Sequence, residues 1–152
     1  MNTFVKAGLA AFAVIFATAT GAFAAKPEIY VNKKWDYAAD GYDVTSYFQG
    51  EPVKGNPEFA AQVANATYIF ASQENLDKFN ADQAQYRPQY GGHCAYALAV
   101  RGIAVKGDPL IWRIEDNRLF LNLNKKVQTK FINDIDNMIT KADGNWPEVL
   151  TK

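Results

Sequence analysis

Cys94 is the single cysteine of the sequence, and it narrows what the chain can fold into. A lone thiol cannot close an intramolecular disulfide and cannot supply the cysteine pairs of a zinc ribbon, so scaffolds held together in either way are excluded. Hydrophobic residues make up 49% of the sequence, which is too many for a disordered tail. Cys94 is therefore a core residue, a reactive thiol, a metal ligand or one half of an intermolecular bridge.

The first 24 residues have the pattern of a secretory signal peptide. Lys6 precedes an uncharged apolar stretch over residues 7–17, and residues 22–24 supply the small-x-small pattern that signal peptidase needs. We expect residues 1–24 to be cleaved and residues 25–152 to form a secreted, periplasmic protein with no stable membrane insertion. The alternative is a retained anchor, because the uncharged window is just long enough to cross a bilayer.

The charges of the sequence are balanced, with 16 Lys and Arg residues against 16 Asp and Glu residues. Nucleic-acid-binding chains carry a basic stripe, so we expect no nucleic-acid partner. The sequence has no Gly-rich phosphate loop and no paired-histidine zinc motif, and its one histidine, His93, directly precedes Cys94. Because adjacent residues rarely form a nucleophilic Cys-His pair, the sequence favours a protein that is not an enzyme.

Hydrophobic patterning predicts a small single domain of the α+β class, in which antiparallel β-hairpins pack with about three helices. Residues 59–63 and 67–70 predict one hairpin, and residues 110–114 and 119–121 predict a second. The predicted helices begin near Ser72, Cys94 and Asn124, and they end near Asp82, Gly102 and Gly144.

Several blocks between residues 41 and 147 resemble the YHS domain family. The resemblance to the domain itself rests on residues 41–44, 68–74 and 79–86. The later blocks resemble a secreted bacterial subfamily and comprise residues 90–97, 107–112, 119–122 and 145–147. The resemblance implies one YHS-like domain over residues 25–152.

The resemblance also implies an association with heavy metals, notably copper. Metal-binding members carry cysteines where this chain holds Ser46, Ala71 and Asn75, and these side chains supply no thiolate for a soft metal. Subfamily members carry cysteine or selenocysteine at the position of Cys94. We therefore expect a soft or borderline transition metal, copper first, at a site centred on Cys94 with help from His93 or Asp43.

Two other functions for Cys94 stay open. A helix that starts at this residue would place the thiolate near free backbone N–H groups and the positive end of the helix dipole, which predicts a reactive thiol. In such a protein, Cys94 would be oxidised and then reduced by a partner protein that supplies the resolving thiol. Alternatively, Cys94 is a small buried hydrophobe in a non-catalytic interaction module. The expected partners are a metal ion or a redox or metal-handling protein.

Six further residues are candidates for lining a ligand pocket beside Cys94: Tyr42, Tyr90, Gly91, Gly92, Tyr96 and Asp108. The glycines allow a ligand to approach the backbone closely. The tyrosines have core packing as their alternative role, and the aspartate has turn capping.

Overall fold

Two antiparallel hairpins form the β part of the computed structural model, which describes residues 25–152. Strand β1 (Asn56–Val63) pairs with β2 (Ala66–Phe70), and β3 (Asp108–Glu115) pairs with β4 (Arg118–Asn122). The register of each hairpin shifts near the start of its first strand. Both predicted hairpins are confirmed, and the expectations for residues 1–24 lie outside the described residues.

Five α-helices accompany the hairpins in the described part of the chain, which confirms the α+β class. They are α1 (Gln73–Ala81), α2 (Gln83–Tyr86), α3 (Ala95–Arg101), α4 (Lys125–Ile132) and α5 (Ile135–Asn145). Ser72 and Asn124 cap α1 and α4 as expected, since each side chain accepts a backbone N–H from the first turn of its helix. None of these helices is long and apolar enough to cross a membrane.

The prediction of one final helix over residues 124–144 is wrong, because two helices occupy this stretch. Asp134 interrupts the helical backbone with φ of −146° and ψ of 51°, and its carboxylate accepts a hydrogen bond from the Asn137 side chain. Asp has a low helix propensity, so it is readily accommodated at such a non-helical position. Gly144 lies inside α5, which ends before Trp146 because Pro147 forces the preceding residue out of helical geometry.

The core has two main clusters. The first lies between β2 and α1, where the fully buried rings of Phe70 and Phe79 stand 4.8 Å apart. The second lies where α3, α4 and α5 meet β4, around Leu98, Phe120 and Phe131. Each such side chain contributes about 1.5–3 kcal/mol on burial, so these clusters hold the hairpins and helices together.

The segment before the first hairpin is tied across the body of the domain. Lys26 N–H donates to Leu150 O at 2.8 Å, and Tyr30 N–H donates to Gly91 O at 2.9 Å. Ile29 is 2% exposed and belongs to the first core cluster. Residues 26–30, the N-terminal segment, are thus held at Lys26 and at Tyr30, and Glu28 and Ile29 between them line a cavity.

Candidate functional site

The Gly-Gly-His-Cys block runs through a tight turn and then straightens before α3. Tyr90 and Gly91 have φ of +56° and +61°, and Cys94 is extended at φ −64° and ψ 112°. Cys94 N–H donates to Val105 O at 2.9 Å. The backbone at Cys94 also bridges to Leu121 of β4. The helix start expected at Cys94 is confirmed, and the residue is fixed between two other segments.

The Cys94 thiol is buried and interacts with the residues that end β4. Cys94 is 1% exposed, Leu123 N–H donates to its Sγ at 3.3 Å, and Asn122 Oδ1 lies 3.8 Å from Sγ. The Cys94 side chain makes no hydrogen bond to the N-terminal N–H groups of α3. Asn122 Oδ1 instead accepts Tyr96 N–H at 3.2 Å, so the amide of Asn122 takes the capping position.

An apolar cavity of about 260 Å³ adjoins the thiol, and we call it the Cys94 pocket. Its walls come from α3, from the segment that follows α3 and from the start of α4. The lining residues are Cys94, Tyr96, Ala97, Val100, Arg101, Ile103, Val105, Leu123 and Val127. Arg101 is the one charged residue of this lining, and it is exposed. The arrangement suits an apolar molecule with a negative group at one end.

His93 faces a different part of the domain from Cys94. It is 5% exposed, its Nε2 lies 3.4 Å from Pro27 O, and its ring packs at 5.8 Å from Tyr30 and 5.9 Å from Trp146. Its Nδ1 has no hydrogen-bond partner. Burial lowers the pKa of His93, and the interaction of Nε2 with the Pro27 carbonyl opposes this only in part. His93 therefore stays neutral at pH 7 and attaches the N-terminal segment to the domain.

Acidification is expected to destabilise the protein through His93. The unfolded chain takes up this proton near pH 6.5, whereas the folded chain takes it up only at lower pH. As the pH is lowered from 6.5, the free energy of unfolding should therefore decrease by at most about 1.4 kcal/mol per pH unit. Above pH 6.5, His93 should not change the free energy of unfolding with pH. Urea unfolding at several pH values, beside His93→Phe, measures the effect. Parallel pH profiles for the two proteins would contradict it.

Asp43 is fully buried and its carboxylate is saturated with hydrogen bonds. Oδ1 accepts from the Thr45 N–H at 2.9 Å and from the Thr45 hydroxyl at 2.7 Å. Oδ2 accepts from the Ala71 N–H at 2.9 Å and from the Asn75 amide at 2.7 Å. A carboxylate offers about four acceptor positions, so none is left over for a ligand.

Ser46, Ala71 and Asn75, where the YHS resemblance implies cysteines in metal-binding members, all contact Asp43. Ala71 and Asn75 donate to it, and the Ser46 hydroxyl donates to Asp43 O at 2.6 Å. Ser46 Oγ also accepts the Val53 N–H at 3.0 Å. The fold thus brings these three positions together around Asp43, and hydroxyl, methyl and amide groups occupy them, where the resemblance implies thiols in metal-binding members. These residues do not fit a thiolate metal site.

The three residues expected to bind metal are not brought together. Asp43 lies with α1, His93 contacts the N-terminal segment, and Cys94 contacts the end of β4. Within residues 25–152, no group of three or more Cys, His, Asp or Glu side chains could hold a metal ion. Copper binding at Cys94 stays a prediction that this geometry does not favour.

The pocket candidates are divided among several places. Tyr96 lines the Cys94 pocket, whereas Tyr90 and Gly91 line a second cavity. Tyr42 is half-buried beneath the Lys54 ammonium group, 3.8 Å from the ring centre. The Asp108 carboxylate accepts a hydrogen bond from the Leu110 N–H, as a turn-capping residue does. Gly92 is buried and has φ of +82°.

Sequence reasoning missed the residues that surround the thiol most closely. Asn122 ends β4 and Leu123 follows it; both lie far from Cys94 in sequence, and no local pattern connects them to it. Arg101 had a weak signal, because a cation in the last turn of a helix is usual and suggests no ligand. The unpartnered Nδ2 of the buried Asn122 has no sequence signal at all.

Comparison with protein-family models, with curated proteins and with solved structures gives no match for this chain. The YHS resemblance therefore rests on the sequence blocks and stays a prediction. The contacts of Cys94 and the cavity beside it are therefore the observations that bear on its function.

Proposed function

We propose that this is an exported, non-catalytic binding protein that holds a small apolar molecule with an acidic end, such as a medium-chain fatty acid. The Cys94 pocket carries the proposal, because it joins an apolar cavity to a single exposed cation. Its volume of about 260 Å³ lies just below that of drug-sized sites, so the ligand is small. Each Å² of apolar surface that the ligand buries contributes about 25 cal/mol.

Arg101 gives the pocket its polarity. It sits at the last position of α3, and it takes part in none of the ion pairs found within residues 25–152. A carboxylate placed at the pocket edge would accept charge-assisted hydrogen bonds from its guanidinium. The apolar tail would then lie against Val100, Ile103 and Leu123, which line the cavity.

In this function, Cys94 is a wall residue. A thiol is a weak hydrogen-bond donor and behaves as a small hydrophobe, and that of Cys94 already receives the Leu123 N–H. Copper binding and partner-dependent thiol redox chemistry are the rival functions. Copper binding needs ligands besides Cys94, and redox chemistry needs an oxidant to reach a residue that is 1% exposed.

Calorimetric titration with octanoate tests the proposal on protein expressed from the full chain and purified from the periplasmic fraction. The mass of that protein also shows whether residues 1–24 are removed. We expect saturable binding that Ala97→Leu weakens about tenfold or more, because the larger side chain fills the cavity. Ala81→Leu, on the exposed end of α1, is the matched control and should bind normally.

The same preparation separates the rivals. Absence of octanoate binding, or equal binding by Ala97→Leu, contradicts the proposal. One equivalent of copper that is lost in Cys94→Ser would support the metal function instead. A gain of one oxygen atom at Cys94 after peroxide treatment, without metal, would support the redox function.

A further inference from the structure

A second cavity of about 260 Å³ lies where the N-terminal segment, β2 and the end of α5 meet, and we call it the Arg87 pocket. It shares no lining residue with the Cys94 pocket. Tyr68, Tyr90 and Trp146 give it aromatic walls, and Glu28 and Arg87 give it one charge of each sign. This combination differs from the apolar lining beside Cys94 and calls for a different ligand.

Three polar side chains of the Arg87 pocket make no side-chain hydrogen bond to another residue of the described part of the chain. Tyr68 is 1% exposed, and its hydroxyl enters no side-chain hydrogen bond within residues 25–152. The closest charged atoms of Arg87 and Glu28 are 3.9 Å apart, which is beyond hydrogen-bonding distance. The Tyr68 hydroxyl and the two charged groups face the cavity, and a ligand that offers a partner to each of them gains those hydrogen bonds.

The other polar side chains of the wall already have partners. Tyr90 donates its hydroxyl to Asp143 at 2.8 Å, and Gln89 Oε1 accepts from Arg118 Nε at 3.1 Å. Arg118 in turn forms an ion pair with Asp143 at 2.7 Å. This network holds the back of the pocket rigid and leaves Glu28, Tyr68 and Arg87 to meet a ligand.

We propose that the Arg87 pocket binds a small zwitterion of the α-amino-acid type. The carboxylate of the ligand accepts hydrogen bonds from the Arg87 guanidinium and the Tyr68 hydroxyl, and its ammonium group donates to the Glu28 carboxylate. Trp146 packs against the side chain of the ligand. The Arg87 and Glu28 side chains, which are 3.9 Å apart, separate to admit the carboxylate and the ammonium group of the ligand. The net charge of the site remains zero because the ligand has no net charge.

The protonation of Tyr68 agrees with this role. Burial raises the pKa of the Tyr68 phenol, the Arg87 charge lowers it, and the Glu28 charge raises it. The phenol is therefore a neutral donor at pH 7. Glu28, Tyr68 and Arg87 all line the same cavity, which is the geometry that the role requires.

Titration of the protein with each proteinogenic amino acid into the millimolar range, followed by two-dimensional NMR, tests the site. At least one amino acid should give saturable shifts at Gly91 and at the Trp146 indole. Its carboxamide and its N-acetyl derivative should each bind more weakly, because each removes one charge. Failure of all the amino acids to bind overturns the proposal.

Two variants and one control identify the groups responsible. Arg87→Gln should weaken binding about tenfold, and Tyr68→Phe about fivefold. Tyr68→Phe should leave the unfolding midpoint unchanged, because the hydroxyl that it removes has no protein partner. Arg113→Gln, in an ion pair on the second hairpin, is the matched control and should bind normally. Unchanged affinity in Arg87→Gln also overturns the proposal.

Discussion

Asp43→Ala is expected to lower the free energy of unfolding by about 4 kcal/mol, one of the two largest effects we foresee. The substitution leaves four donors without an acceptor: two on Thr45, one on Ala71 and one on Asn75. Each buried donor without a partner costs about 1–3 kcal/mol, and partial hydration or relaxation recovers some of the sum. Equilibrium urea unfolding, followed by tryptophan fluorescence, measures the change.

Two further variants keep this prediction testable if Asp43→Ala does not fold. Thr45→Val removes one donor and should cost about 1 kcal/mol. Asp108→Ala makes the same change as Asp43→Ala at a partly exposed turn with one hydrogen bond, so it should cost less than about 1 kcal/mol. Equal losses at Asp43 and Asp108 would contradict the structural role given to the buried carboxylate.

Local chemistry explains why the hairpins were predictable. Asp116 and Asn117 both have positive φ, as a tight type I′ turn requires, and these residue types tolerate that geometry. The first turn was predictable for a weaker reason, since Ala64 also has positive φ without a side chain that favours it. There the flanking strand patterns carried the prediction.

The break between α4 and α5 was not predictable from hydrophobic spacing. Phe131 and Ile135 are four residues apart and continue one apolar face across the break. The interruption depends on one non-helical residue, Asp134, whose side chain bonds to Asn137. A single residue of ordinary type carries little sequence signal when the pattern on both sides is helical.

The sequence predicted which residue lies at the centre of the site, but not which residues contact it. The sequence identified Cys94 and the helix that follows it, because the glycines and the alanine-rich run are local signals. The partners of its thiol lie at the end of β4 and just after it, and two of the four donors to Asp43 lie just after β2 and in α1, across separations of 28 to 32 residues. Tertiary contacts of this length depend on how the hairpins and helices pack, which one sequence does not display.

The cavities illustrate the same point. Tyr90 and Tyr96 are six residues apart and were expected around one pocket, yet they line different cavities. Tyr90 belongs to the turn before Cys94 and Tyr96 to the helix after it. The extended residues His93 and Cys94 separate the turn from the helix, so the two tyrosines belong to different elements and face different parts of the domain.

Gly91→Ala is expected to lower the free energy of unfolding by about 3–4 kcal/mol. Gly91 has φ of +61°, and a Cβ added there would lie 1.8 Å from Glu28 O, so the N-terminal segment must move away. That movement breaks the hydrogen bond from Tyr30 N–H to Gly91 O and exposes Ile29, which is 2% exposed in the native fold. Urea unfolding measures the loss, and faster proteolysis near residue 30 locates it.

Two other glycines separate the steric clash from the backbone strain. Gly50 has φ of +103°, and a Cβ added there would meet no atom within 4 Å, so Gly50→Ala reports the conformational cost alone, about 1–2 kcal/mol. Gly144 lies inside α5 with the same open surroundings, so Gly144→Ala should raise stability by about 0.5–1 kcal/mol. The order Gly91, Gly50, Gly144 from most to least destabilising is therefore expected. If Gly91→Ala costs no more than Gly50→Ala, the N-terminal segment does not press on the Gly-Gly turn, and the wall that Glu28 contributes to the Arg87 pocket is not fixed there.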